Sequence, residues 1–110
     1  MKILDLTPEF IKTVMMTQRV ILFPNGYGLS ITGGPYVCGD GENTFDIAII
    51  KHKLNTNVDI DYFALDFAKY SEDDLKFDFV YSEELGIESW FYVDKDKVDD
   101  IADKVRHLKN

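Results

Sequence analysis

The side chains that could carry out nucleophilic chemistry lie in and after a glycine-rich loop. Cys38 is the single cysteine among the 110 residues, and His52 is the candidate base that follows it. A cysteine nucleophile needs a nearby base or a helix N-terminus to form its thiolate, whereas the neighbouring Asp40 and Glu42 oppose that negative charge. We therefore expect Cys38 to be a small, buried or half-buried thiol. The chain is predicted to have no catalytic residue and not to be an enzyme.

Metal and phosphate sites also lack the residue spacing that they require. His52 and His107 lie in different predicted elements, so zinc would not find three or four clustered ligands. The acidic stretches at residues 40–42 and 72–74 do not follow the calcium-loop pattern. The glycines between residues 26 and 41 are flanked by predicted strands, and the Lys-Ser or Lys-Thr pair of a phosphate loop is absent. We expect turns at these glycines, no metal and no cofactor.

Aromatic residues beside the same glycines leave one ligand-binding hypothesis open. Tyr27 and Tyr36 could stack on a bound ring next to Gly33 and Gly34, so the alternative function is a small-molecule binder, such as a sponge for a nucleotide signal. Proteins that bind single-stranded nucleic acid combine such rings with a basic groove. The chain has no basic groove in its sequence, so we expect no direct nucleic acid binding.

The distribution of charge gives the strongest signal. The net charge is −8, and residues 1–53 contain five basic and five acidic groups, so the whole excess lies in residues 54–110. The acids there alternate with aromatic residues, unlike those of a disordered acidic tail. This half should therefore fold and display carboxylates, which favours a basic protein partner.

Carboxylates on predicted strands suggest how such a partner would be bound. Residues i and i+2 of a strand lie about 6.8 Å apart on one face, which is twice the ~3.4 Å rise per phosphate along a DNA strand. Acidic rows could therefore imitate a phosphate track, and the competing interpretation is a solvated face that only keeps the protein soluble. The candidate partner-binding residues are Asp59, Asp61, Asp73, Asp74, Asp78, Glu83 and Glu84.

Periodicity predicts the elements that position these residues. Thr7 and Pro8 should start an N-terminal helix that ends near Gln18. Asp94 should cap a C-terminal helix with one apolar face. Between them we expect strands at residues 20–23, 29–32, 44–52, 58–62, 76–81 and 89–93, with Phe77, Phe79 and Tyr81 facing inward. The predicted fold class is α+β: a single domain over residues 1–110, with an antiparallel sheet of five to six strands packed with N- and C-terminal helices.

Composition is typical of a globular cytoplasmic protein. Hydrophobic residues make up 45% of the chain, and no apolar run approaches the ~20 residues of a membrane span. The N-terminus does not resemble a signal peptide, and one cysteine cannot form an internal disulfide.

Residues 23–30 (Phe-Pro-Asn-Gly-Tyr-Gly-Leu-Ser), followed by the strand at 45–50, resemble a group of small uncharacterised proteins of tailed bacteriophages and prophages. In that group a Pro-Asn-Gly-Tyr-Gly-x-Ser turn precedes a glycine-rich loop and an apolar strand, and the C-terminal helix after Val93 is similarly placed. The resemblance implies no catalytic residues. It implies an accessory role in the host cytoplasm, such as blocking a host defence or redirecting a host enzyme.

The leading hypothesis is thus a non-enzymatic phage accessory protein of the anti-defence type, for example against CRISPR or restriction systems. Its partner would be a host protein with a basic surface, such as a nucleic-acid-binding enzyme, held by an acidic surface that mimics DNA. A homodimer is compatible with the sequence.

Overall fold

A meander of three long antiparallel strands forms the centre of the fold. The computed structural model describes residues 4, 11–12, 16–35, 37–52, 63–64 and 77–109. Its strands are β1 (Ile11–Lys12), β2 (Thr17–Leu22), β3 (Tyr27–Gly33), β4 (Thr44–His52), β5 (Phe63–Ala64), β6 (Phe77–Phe79) and β7 (Ser89–Asp94). A 3₁₀ turn at Lys95–Lys97 leads into the helix α1 (Val98–Arg106).

Each edge of the central meander is shared by two shorter strands. β1 pairs with the first half of β2 and β5 with its second half. On the other side, β7 pairs with the first half of β4 and β6 with its last three residues. All these pairings are antiparallel. The described strands therefore form one open antiparallel sheet that is five strands wide.

The helix α1 covers one face of this sheet. Its apolar residues recur at helical spacing, as the sequence predicts, and they are buried against alternate residues of β2, β3, β4 and β7. Burial of each such side chain contributes about 1.5–3 kcal/mol, so the packing of this helix is a main source of stability. The cluster on this face comprises Ile21, Phe23, Leu29, Ile31, Phe45, Ile47, Ile49, Val93, Val98, Ile101, Ala102, Val105 and Leu108.

The start of the C-terminal helix differs in detail from its prediction. Asp94 occupies the N-cap position of the 3₁₀ turn, but its side chain makes no capping hydrogen bond. The α-helix proper begins three residues later than a cap at Asp94 would give, at Val98.

The predicted N-terminal helix is wrong at the residues where it can be compared with the structure. Ile11 and Lys12 form β1 and pair with Gln18 and Thr17, which belong to β2. Pairing of Thr17 and Gln18 with β3 provides a ladder of hydrogen bonds that the local helical periodicity cannot match. The rest of that predicted helix, and the predicted strand at residues 58–62, lie outside the described residues.

The turn between β2 and β3 is tied to the end of α1 by one side chain. Gly26 has a φ of 89°, which glycine adopts without strain. Asn25 accepts a hydrogen bond from the backbone N–H of Tyr27 at 3.0 Å, and its Nδ2 donates to the carbonyl oxygens of Val105 and Leu108, both at 3.0 Å. Asn25 therefore caps a helix that lies about 80 residues further along the chain.

Replacement of Asn25 should destabilise the fold without unfolding the turn itself. In Asn25→Asp the oxygen that accepts from Tyr27 is kept, but the amide donor is replaced by a carboxylate oxygen facing two carbonyl groups. We expect a loss of about 1–3 kcal/mol of unfolding free energy in Asn25→Asp and in Asn25→Ala, measured as a lower urea midpoint at unchanged slope. The exposed Asn43→Asp serves as the matched control, and an equal effect there would contradict this role of Asn25.

Candidate functional site

Large aromatic side chains are exposed along the edge of the sheet formed by β6 and β7. Phe79, Tyr81, Phe91 and Tyr92 retain 64%, 59%, 60% and 65% of their accessible surface. The inward orientation predicted for Phe79 and Tyr81 is therefore wrong. β6 has three residues and pairs only with the last three residues of β4, so side-chain alternation does not by itself place Phe79 or Tyr81 in the core, whereas Val93 of β7 is buried there.

The described segment 77–94, which forms this edge, includes acidic residues and no basic ones, while Lys51 of β4 pairs directly with Asp78. Five carboxylates and no Lys, Arg or His occur in residues 77–94, and all five acids are exposed. We call this surface the acidic-aromatic edge; it comprises Asp78, Phe79, Tyr81, Glu83, Glu84, Glu88, Phe91, Tyr92 and Asp94.

Ile49 of β4 forms backbone hydrogen bonds with both segments of this edge, the one after β6 and the one before β7. The backbone N–H of Val80 donates to the carbonyl of Ile49 at 3.0 Å, and the N–H of Ile49 donates to the carbonyl of Glu88 at 3.0 Å. The intervening segment projects as a tight turn, closed by a bridge between Ser82 and Ile87. Glu83 and Glu84 lie at the tip of this turn and are exposed.

A bulge in β7 places the other two aromatic residues. Phe45 pairs with Val93 and Ile47 pairs with Trp90, so Phe91 and Tyr92 together oppose the single residue Asp46. Tyr92 adopts a φ of 54°, a left-handed conformation that is unfavourable for an aromatic residue. Such a conformation persists only where the surroundings fix it.

The side chain of Asp46 fixes the left-handed backbone conformation of Tyr92. Asp46 is only 9% exposed. Its Oδ1 accepts hydrogen bonds from the backbone N–H of Tyr92 at 3.2 Å and of Gly39 at 3.0 Å, and its Oδ2 accepts one from Cys38 at 2.9 Å. This carboxylate therefore joins the bulge to the glycine-rich loop. Three N–H donors compensate the cost of burying its charge.

The glycine-rich loop fits against β3 and β4 without room for side chains. A Cβ on Gly33 would lie 2.2 Å from the Cα of Gly41, and a Cβ on Gly39 would lie 2.6 Å from the Cα of Phe45. Close approach of the backbone therefore requires glycine at these two positions.

Cys38 is exposed, so the prediction of a buried or half-buried thiol is wrong. Its backbone N–H donates a hydrogen bond to Oδ2 of Asp46, and its side chain lies beside Tyr92. A hydrogen bond with Cys38 is the largest cause that raises the pKa of Tyr92, and repulsion from the charges of Cys38 and Asp46 acts in the same direction.

His52 is buried at the other end of β4, where its Nε2 lies 2.9 Å from the carbonyl oxygen of Phe23. Six residues of strand, about 20 Å, separate it from Asp46, so His52 does not lie beside Cys38.

The residues predicted for partner binding are placed as follows. Asp78, Glu83 and Glu84 all lie on the acidic-aromatic edge. The remaining four, Asp59, Asp61, Asp73 and Asp74, lie outside the described residues.

The residues predicted for ligand binding do not form one site. Tyr27 begins β3 and packs half-buried against the core, with the Lys51 ammonium 5.4 Å from its ring centroid. Gly33 ends the same strand, about 20 Å away, and Gly34 follows it. Tyr36 lies outside the described residues.

Asp46 was not predicted as a functional residue, although the sequence contains one signal for it. It is the only charged residue between Phe45 and Ile50, and a carboxylate in an apolar strand has to be compensated when the strand is buried.

The described residues contain no group of three His, Cys, Asp or Glu side chains arranged to hold a metal ion. No helix in that part of the chain is long and apolar enough to span a bilayer.

No protein-family model matches the chain, and neither a curated protein nor a solved structure shows significant similarity to it. The function therefore has to be inferred from the geometry of these residues.

Neutralising Asp46 should loosen the loop and the bulge together. Asp46→Asn keeps the size of the side chain but turns an NH₂ group toward backbone donors, leaving at least one of them unpaired. We expect a loss of about 1–3 kcal/mol in unfolding free energy, measured by urea denaturation. The exposed Asp94→Asn provides the control on the neighbouring strand, and a change in Asp46→Asn no larger than in that control would contradict the assignment.

The carboxylate of Asp40 gives a prediction for pH. Its Oδ1 accepts hydrogen bonds from the backbone N–H groups of Thr44, Glu42 and Asn43, and these lower the pKa of Asp40 from 3.8 to about 2. Because the folded pKa is lowered, the stabilisation is present above about pH 3.8 and is lost as the pH falls toward 2.

We expect the side-chain carbon resonance of Asp40 to titrate with a midpoint near 2. The difference in unfolding free energy between wild type and Asp40→Ala should become smaller as the pH falls from 5 toward 2. A titration midpoint near 3.8 for Asp40, or a difference in unfolding free energy that does not change with pH, would show that these hydrogen bonds are absent in solution.

Proposed function

We propose that this chain is a non-enzymatic binding protein that captures a basic surface of another protein with its acidic-aromatic edge. The observation that carries the proposal is the coincidence, within residues 77–94, of four exposed aromatic side chains with five exposed carboxylates and no basic residue.

The aromatic residues would supply most of the binding energy. Protein interfaces are enriched in aromatic side chains at their centre, and a few such residues account for most of the affinity. Exposed aromatic surface on a monomer otherwise carries a risk of aggregation. The bulge also fixes the backbone of Phe91 and Tyr92 before a partner binds. These two residues therefore lose less conformational entropy on binding than residues of a flexible loop would.

The carboxylates would select the partner. Acidic groups around an apolar patch attract a basic surface and repel an acidic one, and they raise the association rate at low salt. The same charge disfavours pairing of this edge with a second copy of the chain. Binding should therefore weaken as the ionic strength rises.

A DNA-like row of carboxylates is not what supports this proposal. Among the described residues, Asp78 is the only acid within β6, and Glu83 and Glu84 lie on a turn. Neither arrangement provides carboxylates at successive i and i+2 positions of a strand. The row at Asp59 and Asp61 lies outside the described residues.

The resemblance to phage proteins favours a host protein as the partner. Nucleic-acid-binding enzymes present large basic surfaces, so a host enzyme of that kind, including one that acts in defence, fits the charge of the edge. Binding would then take place in the host cytoplasm.

Charge reversal on the edge tests the proposal against a matched control. The edge variant carries Asp78→Lys, Glu83→Lys and Glu84→Lys. The control variant carries Asp96→Lys, Asp100→Lys and Asp103→Lys, which change the net charge equally at exposed positions of the 3₁₀ turn and α1. Both are compared with wild type as tagged baits in bacterial lysate at low and moderate salt, with mass spectrometry of the retained proteins.

We expect wild type and the control variant to retain the same basic protein, and the edge variant to lose it by tenfold or more. Retention should also fall as salt rises. Equal retention by the edge variant, or no specific retention by wild type, would contradict the proposal.

A further inference from the structure

The turn between β6 and β7 places an aromatic ring and a carboxylate side by side at its base. Ser82 and Ile87 form an antiparallel bridge, with backbone hydrogen bonds of 3.0 and 3.3 Å in the two directions. Tyr81 directly precedes Ser82, and Glu88 directly follows Ile87. Tyr81 and Glu88 are therefore the next residues outside the bridge, one on each side of the turn.

Burial alternates across this bridge. Ser82 is buried and Ile87 packs against the hydrophobic core. Tyr81 retains 59% of its accessible surface, and Glu88 is exposed as well. Because side chains next to a bridged pair project from the other face, Tyr81 and Glu88 share the face that points to solvent.

The strand β4 keeps the two segments together at this point. The carbonyl of Ile49 accepts a hydrogen bond from Val80, and the N–H of Ile49 donates one to the carbonyl of Glu88, both at 3.0 Å. Side chains at such neighbouring positions lie about 5–8 Å apart across a pair of strands. One planar group of a partner can therefore contact both the Tyr81 ring and the Glu88 carboxylate.

Lys51 shows within the molecule how a cation uses these two kinds of group. Its ammonium lies 5.4 Å from the centroid of the Tyr27 ring, and on its other side Lys51 pairs with Asp78. A cation thus stands between a ring-bearing strand and an acid-bearing strand. Tyr81 and Glu88 present a ring and an acid on an exposed surface, where the cation would come from a partner.

A guanidinium group fits this pair better than an ammonium group does. It is planar, so it can stack on the face of an aromatic ring while it donates two parallel hydrogen bonds to a carboxylate. It is also less strongly hydrated than an ammonium group. An exposed ion pair without a ring contributes little to affinity, so the contact with the ring favours arginine over lysine.

We propose that Tyr81 and Glu88 bind an arginine side chain of the partner protein. Its guanidinium group stacks on the Tyr81 ring and is hydrogen-bonded to the Glu88 carboxylate. Glu83 and Glu84, at the tip of the same turn, attract the positive charge. This inference rests on the proposed capture of a basic surface, and it adds that this surface presents arginine rather than lysine to the turn.

Three blocked peptides separate recognition of arginine from attraction of any cation. They are acetylated and amidated Gly-Arg-Gly-Arg-Gly and its lysine and citrulline counterparts, titrated into isotope-labelled protein at low salt and followed by NMR. We expect the arginine peptide to bind at least about threefold more tightly than the lysine peptide, as an exposed cation–π contact predicts. The neutral citrulline peptide should not bind, and the amides of Tyr81 and Glu88 should shift most.

Paired variants assign the preference to this ring and this carboxylate. Tyr81→Leu should abolish the preference for arginine, whereas Phe91→Leu, which removes another exposed ring of the edge, should keep it. Glu88→Gln should weaken binding of the arginine peptide at least about threefold more than Glu84→Gln, although each removes one charge from the turn. Circular dichroism and urea midpoints establish that each variant is folded.

Equal binding of the arginine and lysine peptides, binding of neither, or a preference that survives Tyr81→Leu would each overturn this inference. Equal binding that still depends on the edge acids would overturn the assignment of arginine alone, because the edge would still attract a basic surface. Failure of the wild-type bait to retain a specific protein from lysate contradicts the proposed function itself, so the two failures are distinguished.

Discussion

The buried carboxylate of Asp46 is the interaction on which the functional surface depends. It accepts backbone hydrogen bonds from Cys38 and Gly39 on one side and from Tyr92 on the other. A carboxylate buried in a sheet needs such donors, and here they come from two segments that lie about 50 residues apart in the chain. The loop and the bulge are thus fixed relative to β4 by the same group, and the unfavourable backbone conformation of Tyr92 is maintained by it.

The bulge has consequences on both sides of the edge. It leaves Phe91 and Tyr92 exposed beside Phe79 and Tyr81, and it brings Phe91 to the wall of a cavity that Ser30, Ala48 and Ser89 also line. Bulges redirect side chains where a regular strand would bury or alternate them. A regular β7 would place a single residue opposite Asp46 and would lose one of the two aromatic residues. The proposed protein-binding edge therefore depends on this local distortion of β7.

Sequence patterns predicted the parts of the fold that local periodicity determines. The three-strand meander, the strand before the C-terminal helix and the apolar face of that helix are confirmed. The N-terminal helix was predicted wrongly at Ile11, Lys12, Thr17 and Gln18, because pairing of β2 with β3 outweighs the helical pattern around Gln18. Asp78, Glu83 and Glu84 were predicted as partner-binding residues because charge can be counted; they lie exposed on this edge, and their role stays a prediction. The exposure of Phe79 and Tyr81 was not predicted, since alternation alone cannot show which side of a short edge segment packs on the core. The cavity depends on the register that aligns Ser30, Ala48 and Ser89 across three strands, which the sequence does not specify.

Amide hydrogen exchange at Cys38, Gly39 and Tyr92 tests the central role of Asp46 most directly. These amides lie on a loop and a bulge, outside the regular ladder, so their protection would come from the Asp46 carboxylate. We expect slow exchange at all three amides in the wild-type protein and fast exchange at all three in Asp46→Asn, while amides in the centre of β3 stay protected. Exchange at the rate of an exposed loop in wild type, or protection that survives in Asp46→Asn, would contradict it.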